Sequence, residues 1–435
     1  MIPDPRMVVG IDIGRSKIDV ALLHANGQVL VKHQAFANSL PGYERVKQLL
    51  LQTLSTQHLS GVDLAVEATS YYWLPFYIQL SQDAELAAYQ PRQALLNAGW
   101  VKWYKKSFPP NHKSDQSDPY YIGERLRTLP DPIWWQYDPH WLKLRLLTRF
   151  RCHLSRDLAR EKNHYQLMLF LAYSHYSTAR PFSDCFGVLS QQLLSHPDEL
   201  AHLATLSIDE IAGRLAELTS HPLPDPHGSA ERLYCALHES YPASDQLDPT
   251  LHAILQHQST LIEAVQQAIH AVDDDIAQCL QAEDYPEVAY LDSIPGLGKV
   301  FSAAIAAEIA GIQRFAAPPK WDPHRRTYRP RNARDVEDAL AKFAGLWWPQ
   351  NASGQFEAEE RPLSKRGDDY LRYFTLLAAD RMRLFIPSYA RFYHAKYQQA
   401  TRHHHKRALV LTGRKALGLF VGLLLHQECY RPEEA

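Results

Sequence analysis

The chain has 435 residues, 46 % of them hydrophobic and 22 % charged, enough apolar matter for two or three domains with their own cores. It has no uninterrupted apolar run of roughly 18 residues to propose as a membrane span. Its five cysteines, Cys152, Cys185, Cys235, Cys279 and Cys429, stand too far apart for a disulfide framework or a zinc site and suit a reducing cytoplasm.

The net charge of −2 conceals a strong asymmetry. Twelve Asp or Glu and one Arg lie between Glu231 and Asp292, whereas twelve Lys or Arg and three Asp lie between Lys365 and Lys415. A basic surface for a polyanion fits that pattern, and so do ordinary solvated helix faces.

From Val8 to Leu23 the chain reads VVGIDIGRSKIDVALL, two apolar runs around a Gly-containing bend. With Leu30 to Ala35 they form an antiparallel start. The charges within it make it a buried strand pair, with no signal peptide expected. Tyr43 to Leu54 has helical periodicity, Asp63 to Glu67 (DLAVE) is a short strand, Ser70 to Leu80 a helix, and Leu86 to Tyr89 a weaker strand. Alternating strands and helices predict a mixed α/β layer domain. Long helices follow from about Trp141 to Leu171 and from about Leu251 to Leu280, a helical hairpin or coiled-coil pair. The segment between them, 172–250, has Pro, Ser, His and Gly punctuation around short helices, reads as linker-like and carries no assignable chemistry. A helical domain starts near Tyr290, interrupted by a Pro/Arg-rich stretch (318–335) expected as an exposed loop. Helical patterns return at Val336 to Phe343, Asp369 to Tyr389 and Lys406 to Leu425.

Four carboxylates carry the chemistry. Asp12 interrupts an apolar strand, where an acid is costly unless it is paired or binds a metal. Glu67 ends a second such strand, and Asp115 and Asp118 share a face if they open a helix. Brought together, four carboxylates hold two divalent cations, and hard oxygen ligands favour Mg²⁺ or Mn²⁺. The residues alone also allow a lysine partner for Asp12, a cap by Glu67 and an N-cap by Asp115. The strand-Asp-Gly start further suits an actin-like phosphotransferase, although no second phosphate-binding glycine loop accompanies it.

The set GIDIGRSKIDVAL, VEAT and KSDQSDPYYIGERL resembles the RuvC-like DEDD domain of bacterial insertion-sequence transposases, the bridge-RNA-guided recombinases. In the C-terminal half, LDSIPGLGKVFSAAIAAEIAGIQRF, KFAGLWWPQNASGQF and LSKRGDDYLRYF resemble the same family's second domain. The resemblance implies an α/β protein in three parts. These are a RuvC/RNase H-like nuclease domain (1–138), a helical coiled-coil region (139–288), and a mostly helical C-terminal domain (289–435) with a helix-hairpin-helix-like turn. It makes Asp12, Glu67, Asp115 and Asp118 a tetrad for Mg²⁺ or Mn²⁺, and Ser353 a nucleophile that forms a phosphoserine. The implied partners are donor and target DNA, an element-encoded bridge-type RNA, and further copies of the chain, a dimer assembling to a tetramer, with no membrane. Where the family has Thr-Asp and Asp-Ala, this chain has Ser114-Asp115 and Asp118-Pro119. A proline there keeps Asp118 at a helix start. The 318–335 stretch is also longer than in the family.

Ser353, in N-A-S-G, has no adjacent base, and taken alone it is a turn serine. Lys365 and Arg366 are candidate phosphate clamps, and Lys299 follows a glycine turn (IPGLGKV) that either holds a phosphate or simply packs two helices. The helix from Trp141 to Lys162 carries seven Lys or Arg, Arg149 and Arg156 among them, for backbone contact or for solvation. Lys105 and Lys106 interleave with Trp100, Trp103 and Tyr104, a mixture that suits phosphate contact with base stacking, or core packing. The carboxylates and serine together read as an RNA-guided strand-transfer enzyme. A RuvC-like nuclease using water and an inactive binding relic are the competing readings.

Overall fold

In the computed structural model the described residues are all except 1–4, 69, 109–116, 130–131, 133, 220–222, 243–246, 323–324, 350–351, 354–355, 358–360 and 433–435. They form two compact units, residues 1–139 with 338–369, and residues 140–337 with 370–435.

The first unit begins with β1 (Arg6–Ile13), β2 (Lys17–His24), β3 (Val29–Ala37), α1 (Leu40–Thr56), β4 (Gly61–Glu67), α2 (Leu74–Ser81) and α3 (Ala84–Ala87). It continues through β5 (Arg92–Leu96), α4 (Ala98–Lys106), α5 (Asp118–Thr128) and β6 (Trp134–Trp135). The sheet order is β3-β2-β1-β4-β5-β6. β1, β2 and β3 are antiparallel neighbours, β4 and β5 run parallel to β1, and β6 is antiparallel to β5. This mixed α/β sheet is consistent with the expected RuvC/RNase H-like domain.

The two-residue alternation of strand side chains divides its core in two. Met7, Val9, Ile11, Ile18, Val20, Leu22, Val62, Leu64 and Val66 pack with Val46 and Leu50 of α1 and Phe76 and Tyr77 of α2. Val8, Leu23, Ala65, Ala94 and Leu96 pack with Val101 of α4 and Ile122 and Leu126 of α5. The expected strand at Leu86 to Tyr89 is instead covered by helix α3, because Asp83 accepts from the Glu85 and Leu86 N–H groups and caps it. The strand begins later, at Arg92.

Helix α5 meets β1 backbone to backbone. A Cβ on Gly10 would lie 1.8 Å from the Pro119 carbonyl oxygen and 2.3 Å from the Gly123 nitrogen. A Cβ on Gly123 would meet Leu23 Cδ1 at 2.6 Å. Only glycine fits at either position.

The second unit is helical. It contains α6 (Pro139–Ala172), α7 (Tyr176–Ala179), α8 (Val188–Leu194), α9 (Pro197–Leu203), α10 (Ile208–Leu218), α11 (Pro226–His238) and α12 (Asp248–Ala282). Beyond these come α13 (Pro286–Asp292), α14 (Lys299–Ile309), α15 (Gln313–Ala316), α16 (Ala333–Phe343), α17 (Asp369–Phe385), α18 (Pro387–Gln399) and α19 (His404–His426), with α16 and α17 each reaching one unit from the other. The long helices α6 and α12 are antiparallel, bridged by Arg151 to Asp273 (2.9 Å), His164 to Gln258 (2.8 Å) and Tyr173 to His252 (2.9 Å). The described residues of 172–250, expected as a linker-like segment around short helices, carry five of them. Leu193, Leu203, Ile211, Leu215 and Leu233 of these helices are buried against Leu169 and Ile262, because Ser207 and Asp225 cap helices whose apolar faces then close one core. The Pro/Arg-rich stretch is a hairpin rather than a bare loop. Lys320–Asp322 pairs with Thr327–Arg329, and Asp335 binds both Lys320 (2.5 Å) and Arg329 (2.6 Å). Those two cations hold the Asp335 carboxyl well below the usual carboxylate range.

Helix α19 is long and apolar enough to cross a membrane by length and composition. Half of its most apolar window is buried inside the protein, where Thr412, Leu417 and Phe420 pack and Arg414 pairs with Glu337.

Gly10→Ala is expected to lower stability by about 1–3 kcal/mol through overpacking. Gly213→Ala, in α10 with nothing near the added methyl, is expected to raise it by roughly 0.5–1 kcal/mol. Denaturant midpoints of the two variants check the difference.

Candidate active site

β1 and β4 are parallel and in register through Ile11 and Val66. The next residue on each strand is an acid, so Asp12 and Glu67 emerge side by side at the carboxyl ends, on the face that α5 covers. Asp118 is the first residue of α5, with Pro119 behind it in the opening turn, where a carboxylate also complements the helix dipole. Gly10 lies two residues before Asp12 on the same face, so the glycine contact that seats α5 also delivers Asp118 to the two strand acids.

Electrostatics record the convergence. Glu67 holds its proton more tightly than an ordinary glutamate, chiefly because it is buried, with Asp12 and Asp118 adding to the effect and Lys105 opposing it. Lys105, projecting from α4, makes a 2.9 Å ion pair with Asp118. Among the described residues, no three acidic, His or Cys side chains close around one point as a finished metal site. The three carboxylates feel one another, yet Asp118 is drawn to the lysine. As hard, mutually repelling oxygen donors, Asp12, Glu67 and Asp118 fit a divalent cation of the Mg²⁺ or Mn²⁺ type. Asp115 lies outside the described residues.

Two neighbouring acids on the same sheet show what a purely structural carboxylate looks like. Asp63 is buried and gripped by Arg6 (2.9 Å) and by both donors of Arg92 (2.7 and 2.6 Å). Asp19, the cross-strand partner of Asp12, is paired with Lys17 (2.9 Å) and hydrogen-bonded to His33 (2.7 Å). In the sequence Asp19 registers only as a break in an apolar run, and nothing there announces His33 as its partner.

Ser353 closes a small hairpin. Ala352–Ser353 pairs with Phe356–Glu357, Ser353 opposite Phe356. The root of this excursion is fastened by three backbone bonds. The N–H groups of Ser364, Lys365 and Asp368 donate to the carbonyls of Trp347 (3.0 Å), Gly345 (3.2 Å) and Phe343 (2.6 Å). Gly367 fits there because a Cβ would strike the Phe343 oxygen at 2.2 Å. Lys365, with φ +53°, turns the chain so that both it and Arg366 are exposed. The serine segment and the carboxylate strands belong to the same compact unit.

The remaining cations are placed variously. Lys106 is exposed beside the Trp103 ring (5.5 Å). Lys299 is exposed at the start of α14, after Gly296 and Gly298, both at positive φ, and Gly296 packs where a Cβ would collide with the Phe385 ring. Arg149 makes a two-pronged pair with buried Glu308 (2.6 and 2.7 Å) and lies over the Tyr370 ring at 4.4 Å. Arg156 is exposed, 5.0 Å from the Tyr373 ring.

Two predictions follow from these charges. Because the folded pKa of Glu67 is raised, its contribution favours folding below the ordinary carboxylate pKa and is lost as pH rises through the folded value. Glu67→Gln is therefore expected to melt higher than wild type at neutral pH, with the gap closing towards about pH 4. Melting curves across that range, without divalent cations, check it. Glu308→Ala removes the buried carboxylate that Arg149 and Arg145 both reach and is expected to cost about 1–3 kcal/mol, measured by denaturant unfolding.

Residues 9–173, which include both strand acids and α5, match the transposase family DEDD_Tnp_IS110. The chain is also similar to the pilin gene-inverting protein of Moraxella bovis, 24 % identical over 202 residues, which are 46 % of this chain. The match spans 59 % of that protein's length.

Proposed function

We propose that this chain, whose residues 9–173 fall in a transposase family, is a transposase or recombinase that cuts and rejoins double-stranded DNA under the guidance of a structured RNA. The observation that carries the reading is the gathering of Asp12, Glu67 and Asp118 at one end of the sheet, with Glu67 pushed towards its protonated form by burial and by the other two. The gene inversion in the name of the Moraxella relative is a rearrangement of the same broad kind.

Asp12, Glu67 and Asp118, with Asp115, would hold Mg²⁺ or Mn²⁺, which supplies Lewis-acid stabilisation of the phosphodiester oxygens. Ser353 is the nucleophile. Its Oγ forms a bond to phosphorus as the bond to the 3'-oxygen breaks, and the proton lost by the hydroxyl is regained, in net terms, by that oxygen. The resulting phosphoserine keeps the energy of the broken linkage, so a 3'-hydroxyl from another strand rejoins the backbone and releases the serine without an external energy source. Lys365 and Arg366 sit at the root of the serine hairpin and serve the phosphate charge. Lys105 keeps Asp118 paired in the absence of a cation, and the exposed Lys106, Lys299 and Arg156 meet nucleic-acid backbone. Copies of the chain assemble as a dimer and then a tetramer on the paired donor and target.

A strand-transfer assay with Mg²⁺, donor and target DNA and the RNA flanking the element tests this. Wild type is expected to give recombinant product and a protein–DNA adduct, and Ser353→Ala neither. Asp12→Asn should reduce product by at least about a hundredfold, as loss of a group that stabilises transition-state charge does. Cleavage that persists in Ser353→Ala, with no adduct in wild type, would replace the serine reading with a water-using nuclease. Mixing the two inactive variants separates assembly routes, since recovered product requires serine and carboxylates from different protomers.

A further inference from the structure

We propose that the first unit carries a holding site for an unpaired DNA base, formed by the pocket at Trp347 and Arg366 and continued by the exposed ring of Trp103. The inference rests on the DNA-cutting reading above and adds the state of the strand: locally single, with a base out of the stack.

Three observations meet at Arg366. Trp103 is 60 % exposed and Trp100 49 %, a poor use of two indoles unless something covers them. Trp100, Trp103 and Lys106 recur every third residue of α4, forming one outward stripe, while Val101 is buried and Lys105 reaches Asp118. The indole of Trp103 has Lys106 at 5.5 Å and Arg366 at 5.4 Å from its centroid, so the root of the serine hairpin and helix α4 converge on one ring. Arg366 also lines a pocket of about 220 Å³ with Trp347, Pro349, Pro362, Leu363 and Ser364. That is many times the roughly 10–15 Å³ that one water needs by the same measure, and on the scale of a single planar ring system. Lys342 lies 5.7 Å from the Trp347 ring.

The lining decides the ligand's chemistry. An indole and two proline rings offer flat apolar walls, while a hydroxyl and a guanidinium offer polar edges. The charges that reach the Trp103 ring are the cations Lys106 and Arg366. A π-faced, polyanionic chain satisfies both features, with bases stacking on the rings and phosphates meeting Arg366 and Lys106. Bases in an intact duplex are stacked on each other and cannot reach either ring, so the strand must be unpaired there. Helix α4 also carries Lys105, so the stacked base lies next along the strand from the carboxylates, and Trp103 and Trp347 are positioning residues for the phosphate to be cut.

The test is binding of a labelled deoxyribo-oligonucleotide to the full chain, as a single strand and as the matched duplex, without divalent cation. Trp103→Ala and Trp347→Ala are each expected to weaken single-strand binding by about 5- to 100-fold and leave duplex binding unchanged. Trp103→Phe should restore most of the loss, and Arg366→Gln should flatten the salt dependence by about one ion. Melting temperatures and Trp347→Phe guard against a folding defect at the half-buried Trp347. Equal losses on single strand and duplex, no loss on either, or tighter binding of the matching RNA strand would each overturn the proposal. Strand transfer is measured on the same variants. A wild type that binds through these rings and cuts nothing sinks only the recombinase reading, and one that cuts while Trp103→Ala binds normally sinks only this site.

Discussion

The contact between Gly10 and Gly123 sets the position of everything chemical in the first unit. A strand and a helix normally stand about 10 Å apart, held off by side chains on both. Here the backbone of α5 lies directly on β1, with the Pro119 carbonyl oxygen 1.8 Å and the Gly123 nitrogen 2.3 Å from where a Cβ of residue 10 would be. Glycine in a strand and in a helix each costs roughly 0.5–1 kcal/mol against alanine. Burial of Val8, Leu23, Ile122 and Leu126 around the crossing offsets it. The outcome is that a helix start, and with it Asp118, reaches the end of the sheet where Asp12 and Glu67 emerge.

On that face, the fate of each acid depends on which partners the fold supplies. Asp63 has two arginines and Asp19 a lysine and a histidine, and both are thereby fixed as struts of the sheet. Glu67 is left with partial relief from Lys105 and repulsion from two aspartates. The sheet tolerates that imbalance, and Glu67 holds its proton more tightly as a result. Helix α4 divides its cations in the same way, Lys105 turned in towards Asp118 and Lys106 turned out beside Trp103.

The second unit shows the limit of reading function from basic residues. The string of arginines on α6 looks in sequence like a nucleic-acid surface. Folded, Arg145 donates to the Ala307 carbonyl, Arg149 grips Glu308 and Arg151 grips Asp273, each joining α6 to another helix. Periodicity cannot separate these from Arg156, because an acid more than a hundred residues away decides which cation turns inward.

Local pattern was enough for the strand pair around Gly14 and the helices α1, α6, α12 and α19, and it singled out Asp12 and Glu67 as acids in apolar strands, conspicuous by their cost. It was also enough for the helix start at Asp118, which proline at the next position enforces. It misjudged Leu86 to Tyr89, where a cap three residues earlier outweighs apolar composition, and it gave no sign that the short helices of 172–250 share one core with Leu169 of α6 and Ile262 of α12. Tertiary structure alone decided that Asp118 meets the strand acids, that Lys105 points inward, and that Arg366 comes to Trp103 across more than 250 positions of sequence. Strand period, helix period and caps are properties of neighbouring residues and are legible in order. Which distant charge or ring meets which depends on backbone approach and register, and these exist only once the chain has packed.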